Sequence, residues 1–358
     1  MKTLLVFPPT ADPAHPALGL CSLAAFLRAR GKDVSVFDLN VEAHNHLLSS
    51  PVLARYSSIL RARLEEFETC EQLPREKAEE YRTIAENLLS SDYLIENIDK
   101  ARVKLREPET YSSLSGYEKV VSVVRRAMEL ISAAYFPTKW CPGAFSMRYQ
   151  PTSSRDVLAA IGDRRENLFL EFLERRVSEI GSHNPDVVGI SLNYHCQMIP
   201  ALTVASLVKQ HLPSAFIVIG GGLVSFYQER WKAFAQFQNL VDAWIPFEGE
   251  KPLCTLIETL ESGGRASSVD GVLTFDGKRP AYRRPPAAPK LDDLPRPDFS
   301  GLVLQDYLAP EPILPILASR GCYWGKCAFC SHGHLYRRDF RQLTSADVLE
   351  MITRLSED

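Results

Sequence analysis

Residues 3–7, Thr-Leu-Leu-Val-Phe, form an apolar run with no polar alternation. This is the pattern of a strand buried on both faces of a parallel sheet. A parallel strand needs a crossover before the next one, and the chain supplies it. Helical spacing over residues 20–30, Gly31 placed to stop the helix, and a second strand over 33–39 complete one βαβ unit. The alternation resumes far downstream, with strands at 186–192, 216–219 and 243–245. Helices are expected between them at about 199–211 and 227–237, and a last one ends near 262. Five strands with intervening helices predict an α/β fold, a doubly wound flavodoxin-like parallel sheet.

The intervening stretch carries helical periodicity, as over 57–71 and 117–134. Pro-Thr-Lys-Trp-Cys-Pro-Gly at 137–143 breaks it, and a helix at 167–180 leads back to the sheet. The expected organisation is a discontinuous α/β domain of residues 1–44 and 180–265 and a helical insertion of residues 45–179. A hairpin and linker follow at 266–311, then a terminal segment at 312–358. Within the linker, 272–275 followed by Asp276-Gly277 reads as a small hairpin, and 283–297 reads as an extended connection. Residues 312–318 read as a further buried strand, and Thr344, Ser345 and Asp347 have the character of a helix start.

A net charge of −3 gives no general electrostatic reason to expect nucleic acid or an anionic membrane as partner. The apolar run at the N-terminus ends at Pro8, far short of a membrane span, and reads as a strand instead of a signal peptide. Five of the eight cysteines are scattered. That usage fits a reducing cytoplasm, where clustered cysteines bind metal or react more often than they form disulfides. The other three, Cys322, Cys327 and Cys330, share one loop. Three thiolates in nine residues can hold an iron–sulfur cluster and leave one iron without a protein ligand. A zinc site would need a fourth ligand, which His332 or His334 could supply.

The run Arg320-Gly321-Cys322-Tyr-Trp-Gly-Lys-Cys327-Ala-Phe-Cys330-Ser resembles the radical S-adenosylmethionine (SAM) superfamily, whose (β/α) barrel opens with a strand and a three-cysteine loop. The first gap holds four residues where three are usual, a wording similar to the cobalamin-dependent branch. The opening Leu-Leu-Val-Phe-Pro8-Pro9-Thr10, with His15-Pro16-Ala17-Leu18-Gly19 after it, is similar to the cobalamin-binding domain fused ahead of many such barrels. So are the Gly-rich turn after the fourth strand and the Glu248-Gly249-Glu250 turn after the fifth.

The resemblance implies three cofactors: cobalamin, a [4Fe–4S] cluster on Cys322, Cys327 and Cys330, and SAM on the open iron. It implies a radical enzyme, most simply a methyltransferase acting on a carbon or phosphorus centre of a small-molecule or peptide substrate. One SAM would remethylate cobalamin, and a second would be cleaved to a 5′-deoxyadenosyl radical with electrons from a flavodoxin or ferredoxin. Ligands of doubly wound sheets bind outside the carboxyl ends of the strands. The candidate cobalamin contacts are therefore Pro9, Thr10, Leu18 and Gly19, then Ser191, Asn193, Tyr194 and Gln197, then Gly220, Gly221 and Gly222, and finally Glu248, Gly249 and Glu250.

Several readings stay open on the residues. The three glycines either clear space for a flat ring or simply make a tight strand-to-helix turn. His15 is a cobalt ligand or a surface-loop histidine; Asp12-Pro-Ala-His15-Pro-Ala-Leu-Gly19 has one extra residue in each gap relative to the histidine motif of classical cobalamin mutases. Tyr194, His195 and Gln197 either cover the corrin or cap and pack a helix start. Trp140, Cys141 and Tyr149 form a lid or a small satellite core. The segment from 312 holds the first βα unit of an incomplete barrel, so a truncated chain or gene fragment without SAM turnover of its own is expected. The rival readings are a non-catalytic cobalamin-binding sensory module and a flavodoxin-like domain with a zinc knuckle.

Overall fold

The computed structural model describes residues 1–70, 72–285, 288–330 and 339–357. Strands β1 (Lys2–Phe7) and β2 (Asp33–Asp38) come before a small separate hairpin, β3 (Lys139–Cys141) with β4 (Ala144–Ser146). Strands β5 (Val187–Ser191), β6 (Phe216–Gly220) and β7 (Ala243–Ile245) follow. The parallel part of the main sheet has the order β2-β1-β5-β6-β7. This is the doubly wound, flavodoxin-like arrangement that the sequence pattern predicts, with its switch point between β1 and β5.

Side chains alternate across the sheet, and both faces are dry. Leu4, Val6, Val188, Ile190, Ile217 and Trp244 enter one core, whereas Leu5, Phe7, Val36, Val187, Val218 and Ile245 enter the other. The second face is covered by α1 (Leu18–Arg28), and by a later helix that begins beside Gly249. The first face is covered by α2 (Leu39–Leu47), α3 (Ser50–Glu68), α4 (Ala78–Leu88), α5 (Ser91–Lys104), α6 (Leu114–Ala134), α7 (Ser154–Ala160), α8 (Leu170–Gly181) and α9 (Met198–His211). Leu53, Ile98, Ile131 and Phe169 of this stretch share one continuous core with Leu4 and Val188. The insertion's helices α3, α4, α5 and α6 pack mainly on one another, and their interior is continuous with the core under the sheet.

The structure departs from the sequence reading in four places. The break at 137–143 is the β3–β4 hairpin. The helix expected over 227–237 is a short α10 (Gly222–Phe226) continued by a 3-10 helix, Gln228–Phe237. After α11 (Glu250–Glu261), the expected hairpin forms as β8 (Leu273–Asp276) and β9 (Arg279–Tyr282). It does not stand apart: Leu273 pairs antiparallel with Trp244 and extends the sheet. The fourth departure is at 312–318, which forms no strand. That stretch finds no strand partner among the described residues until the Ala318 carbonyl accepts from the Leu343 N–H at 2.8 Å. Regular pairing starts at β10 (Ser319–Arg320), antiparallel to β11 (Arg341–Gln342), ahead of α12 (Ser345–Glu357). Thr344 and Asp347 cap α12 reciprocally.

The chain after the hairpin is docked. Leu291 and Phe299 are buried, Arg28 pairs with Asp298 at 2.7 Å, and the Tyr307 hydroxyl donates to buried Asp38 at 2.8 Å. No helix among the described residues is long and apolar enough to cross a membrane.

Candidate functional site

A cleft of about 500 Å³ opens at the carboxyl edge of the parallel strands. Its floor is made by side chains of the second core, Leu5, Phe7, Val218 and Ile245. Its rim is made by the loops after β1, β5, β6 and β7, which topology brings to one edge. Of the residues singled out from sequence, Leu18, Gly19, Ser191, Asn193, Tyr194, Gly220, Gly221, Gly222, Glu248, Gly249 and Glu250 all line it.

Pro9, Thr10 and Gln197 are not part of the lining. Thr10 is fully buried and its hydroxyl accepts a hydrogen bond from the Trp140 indole at 3.3 Å. Gln197 is also fully buried. Its carbonyl oxygen accepts from the backbone N–H groups of Asn193 and Tyr194 at 3.0 and 3.2 Å, and its amide donates to the Pro8 carbonyl at 2.8 Å. It ties the first loop to the third and holds the rim from behind. Asn193 extends the tie, accepting from the Gly222 N–H at 3.0 Å and donating to the Ser191 hydroxyl at 3.1 Å.

The glycines divide into two kinds. Gly221 has φ +112, and a Cβ there would sit 2.4 Å from the Leu192 carbonyl. Its role is therefore the close approach of two loops, the tight-turn reading. At Gly19 a Cβ would meet nothing within 4 Å, and at Gly222 nothing nearer than 3.8 Å. These two positions leave room for a flat ligand.

His15 lies exposed on the rim, its Nδ1 donating to the Pro16 carbonyl at 3.0 Å. Tyr194 is 55% exposed over the cleft mouth. His195 turns outward to the Tyr227 hydroxyl, 2.7 Å away, and packs edge-on against Phe226. Trp140 is buried against His44 and Phe169, and Tyr149 bonds Asp163 at 2.7 Å. Both belong to the main core and its margin, so the lid reading finds no geometry among them; Cys141 is simply exposed.

Sequence reasoning missed Asp12, Ser22, Leu23, Ser225, Phe247 and Arg320, all of which line the cleft. Ser22 was within reach, one helical turn beyond Leu18 on α1. Arg320 was not, because it arrives from a segment far away in sequence. Its guanidinium meets Glu248 at 2.9 Å and also pairs with Glu250. Burial alone would depress its pKa, but Glu250 and then Glu248 reverse that and hold it firmly charged.

The cysteine loop starts directly after Arg320. Cys322 is half-buried and accepts from the Gly325 N–H at 3.4 Å, whereas Cys327 and Cys330 are exposed. Among the described residues no three metal-ligating side chains are gathered at one point, so the thiols share a loop without yet converging. His332 and His334 lie outside the described residues.

A family model described as B12 binding domain matches residues 156–256, from α7 into α11. The hopanoid C-3 methylase of Methylococcus capsulatus is 32% identical over 181 residues, covering 50% of this chain and 34% of that protein. An uncharacterized methyltransferase of Pyrococcus horikoshii is 28% identical over 178 residues, covering 49% of this chain and 38% of that one. The match thus spans little more than a third of the curated relatives' own length. Among solved structures, the radical S-adenosylmethionine methyltransferase TsrM from Kitasatospora setae superposes with a TM-score of 0.50 at 13% identity, covering 99% of this chain and 45% of that one. That is a likeness of fold. Residues 156–256 thus match a B12-binding-domain model, and about half of the chain is similar in sequence to methyltransferases.

Proposed function

We propose that the cleft binds cobalamin and that Cys322, Cys327 and Cys330 ligate a [4Fe–4S] cluster whose open iron takes SAM. The whole protein is then a cobalamin-dependent radical methyltransferase, acting on a small molecule or peptide and reduced by a flavodoxin or ferredoxin in the cytoplasm. The observation that carries this reading is that Leu317 and Arg320, at the base of the cysteine loop, form a wall of the same cleft that the B12-binding domain opens. The segment that leads into the cysteine loop and the cleft thus share one wall.

The residues present fit both groups. An apolar floor, open space at Gly19 and Gly222, and a polar rim suit a flat macrocycle fringed with amides. Three soft thiols in nine residues suit iron–sulfur ligation. When bound, cobalamin supplies a methyl-carrying metal and the cluster supplies an electron for SAM cleavage. Leu5, Phe7, Val218 and Ile245 keep water from the cleft floor. Gln197 and Asn193 fix the loops that face the ligand. The Gly325 N–H donates to the Cys322 sulfur and orients it in the loop.

Optical titration of the folded protein with hydroxocobalamin tests the first claim, and an unchanged spectrum at saturation defeats it. Anaerobic reconstitution tests the second. About four irons with matching sulfide per chain are expected, lost in Cys322→Ala, Cys327→Ala or Cys330→Ala; stoichiometric zinc without sulfide would contradict it.

A further inference from the structure

Four charged side chains join the cleft to the cysteine loop. In the β10–β11 ladder Arg320 lies directly opposite Arg341, a placement in which like charges repel. Glu248 resolves the conflict by pairing with both guanidiniums, and Glu250 takes the second fork of Arg320. The side chains of Arg320, Arg341, Glu248 and Glu250 are 10%, 16%, 14% and 6% exposed. The network therefore lies largely out of water, where such pairs are strong and a missing partner is costly. Next to it, Gly321 has φ +89, and a Cβ there would fall 1.7 Å from the Asp339 carbonyl. The loop base is held by charge on one side and by backbone contact on the other.

Glu248, Glu250 and Arg320 also line the cleft. We propose that Glu248 and Glu250 act as a charge clamp that docks the β10–β11 ladder on the cleft rim, so that filling the cleft and ordering the cysteine loop are thermodynamically linked. A ligand in the cleft removes water from the clamp and strengthens it. By reciprocity, an intact clamp tightens the ligand by the same factor. These four are positioning residues, and the identity of the ligand rests on the cobalamin reading above.

Hydrogen–deuterium exchange at amides 319–325 and 339–343 is the test, in wild type, in the double variant Glu248→Gln/Glu250→Gln, and in Arg341→Gln, which takes one guanidinium from Glu248 and leaves every cleft-lining side chain in place. Without ligand, both variants should exchange at the ladder roughly tenfold faster or more, with α1 and α9 unchanged as a control for folding. Hydroxocobalamin should slow ladder exchange in wild type and lose that effect in the double variant, whose optical affinity falls. Ladder exchange equal to wild type in folded Arg341→Gln overturns the clamp. Saturated optical binding with no slowing at the ladder overturns the linkage. Absence of any optical change removes the cobalamin reading and the linkage with it, while the ligand-free comparison still decides the docking role.

Discussion

At the scale of single residues, Asp38 and His44 on neighbouring turns respond to pH in opposite directions. Asp38 is buried at the end of β2 and caps α2 through the N–H groups of Asn40 and Val41, at 3.0 and 3.1 Å. Burial pushes its carboxyl up to about 6 from 3.8, against the lowering hydrogen bonds from Tyr307 and the backbone. Its contribution to stability is full below pH 3.8 and is lost as pH rises through about 6, worth about 3 kcal/mol. His44 is fully buried, its Nδ1 donating to the Asn40 carbonyl at 2.8 Å. Burial lowers its pKa from 6.5 to about 4, so its contribution is present above 6.5 and is lost as pH falls, worth about 3 kcal/mol. The two slopes oppose each other across the same window. Asp38→Asn should therefore unmask the histidine, giving a protein that loses about 3 kcal/mol more than wild type between pH 6.5 and pH 4. Urea midpoints measured across that range check this, and parallel profiles for the two proteins would refute it.

At the scale of elements, the strand-to-helix turn after β6 shows what an apolar pattern can and cannot convey. Gly221→Ala places a Cβ at 2.4 Å from the Leu192 carbonyl with φ +112, so the β5 and β6 loops must separate. The expected cost is about 3 kcal/mol, with hydroxocobalamin binding weakened. Gly222→Ala, whose Cβ has nothing nearer than 3.8 Å, should cost little stability and weaken binding alone. Denaturation and optical titration of both variants separate loop approach from ligand clearance. A Gly221→Ala protein as stable as wild type would remove the loop-approach argument. The buried strands were legible because both faces of each are apolar, and the parallel order followed from helical spacing between them. The rim loops were legible because that topology sends them to one edge. Gln197 was open between a corrin contact and helix-start packing because polarity in a loop does not say whether the side chain faces outward or ties two backbones together, as it does here. The strand expected at 312–318 failed for a related reason: an apolar run specifies neither a partner nor a cover, and none of these residues is fully buried.

At the scale of the whole molecule, the segment between the hairpin and the cysteine loop works as a strap. It read as a linker because Pro, Arg and Asp dominate it, and composition does not reveal that distant groups hold its backbone. Arg28 on α1 grips Asp298 and Ser300. Arg106, just past α5 in the insertion, donates to the carbonyls of Gln305, Asp306 and Tyr307 at 2.9, 2.6 and 3.1 Å. The insertion therefore connects to the cysteine loop through the strap, not by covering the cleft. Charge-assisted bonds of this kind are worth about 1.5–3 kcal/mol. Arg106→Met should release residues 303–307 while keeping the alkyl packing of the side chain. Limited proteolysis is expected to gain a site within 303–307, with hydroxocobalamin affinity little changed, since none of the residues 303–307 lines the cleft. Cleavage elsewhere first, or a strap as resistant as wild type, would show that the contacts of Tyr307 with Asp38 and of Leu308 with the Pro13 carbonyl hold it without Arg106.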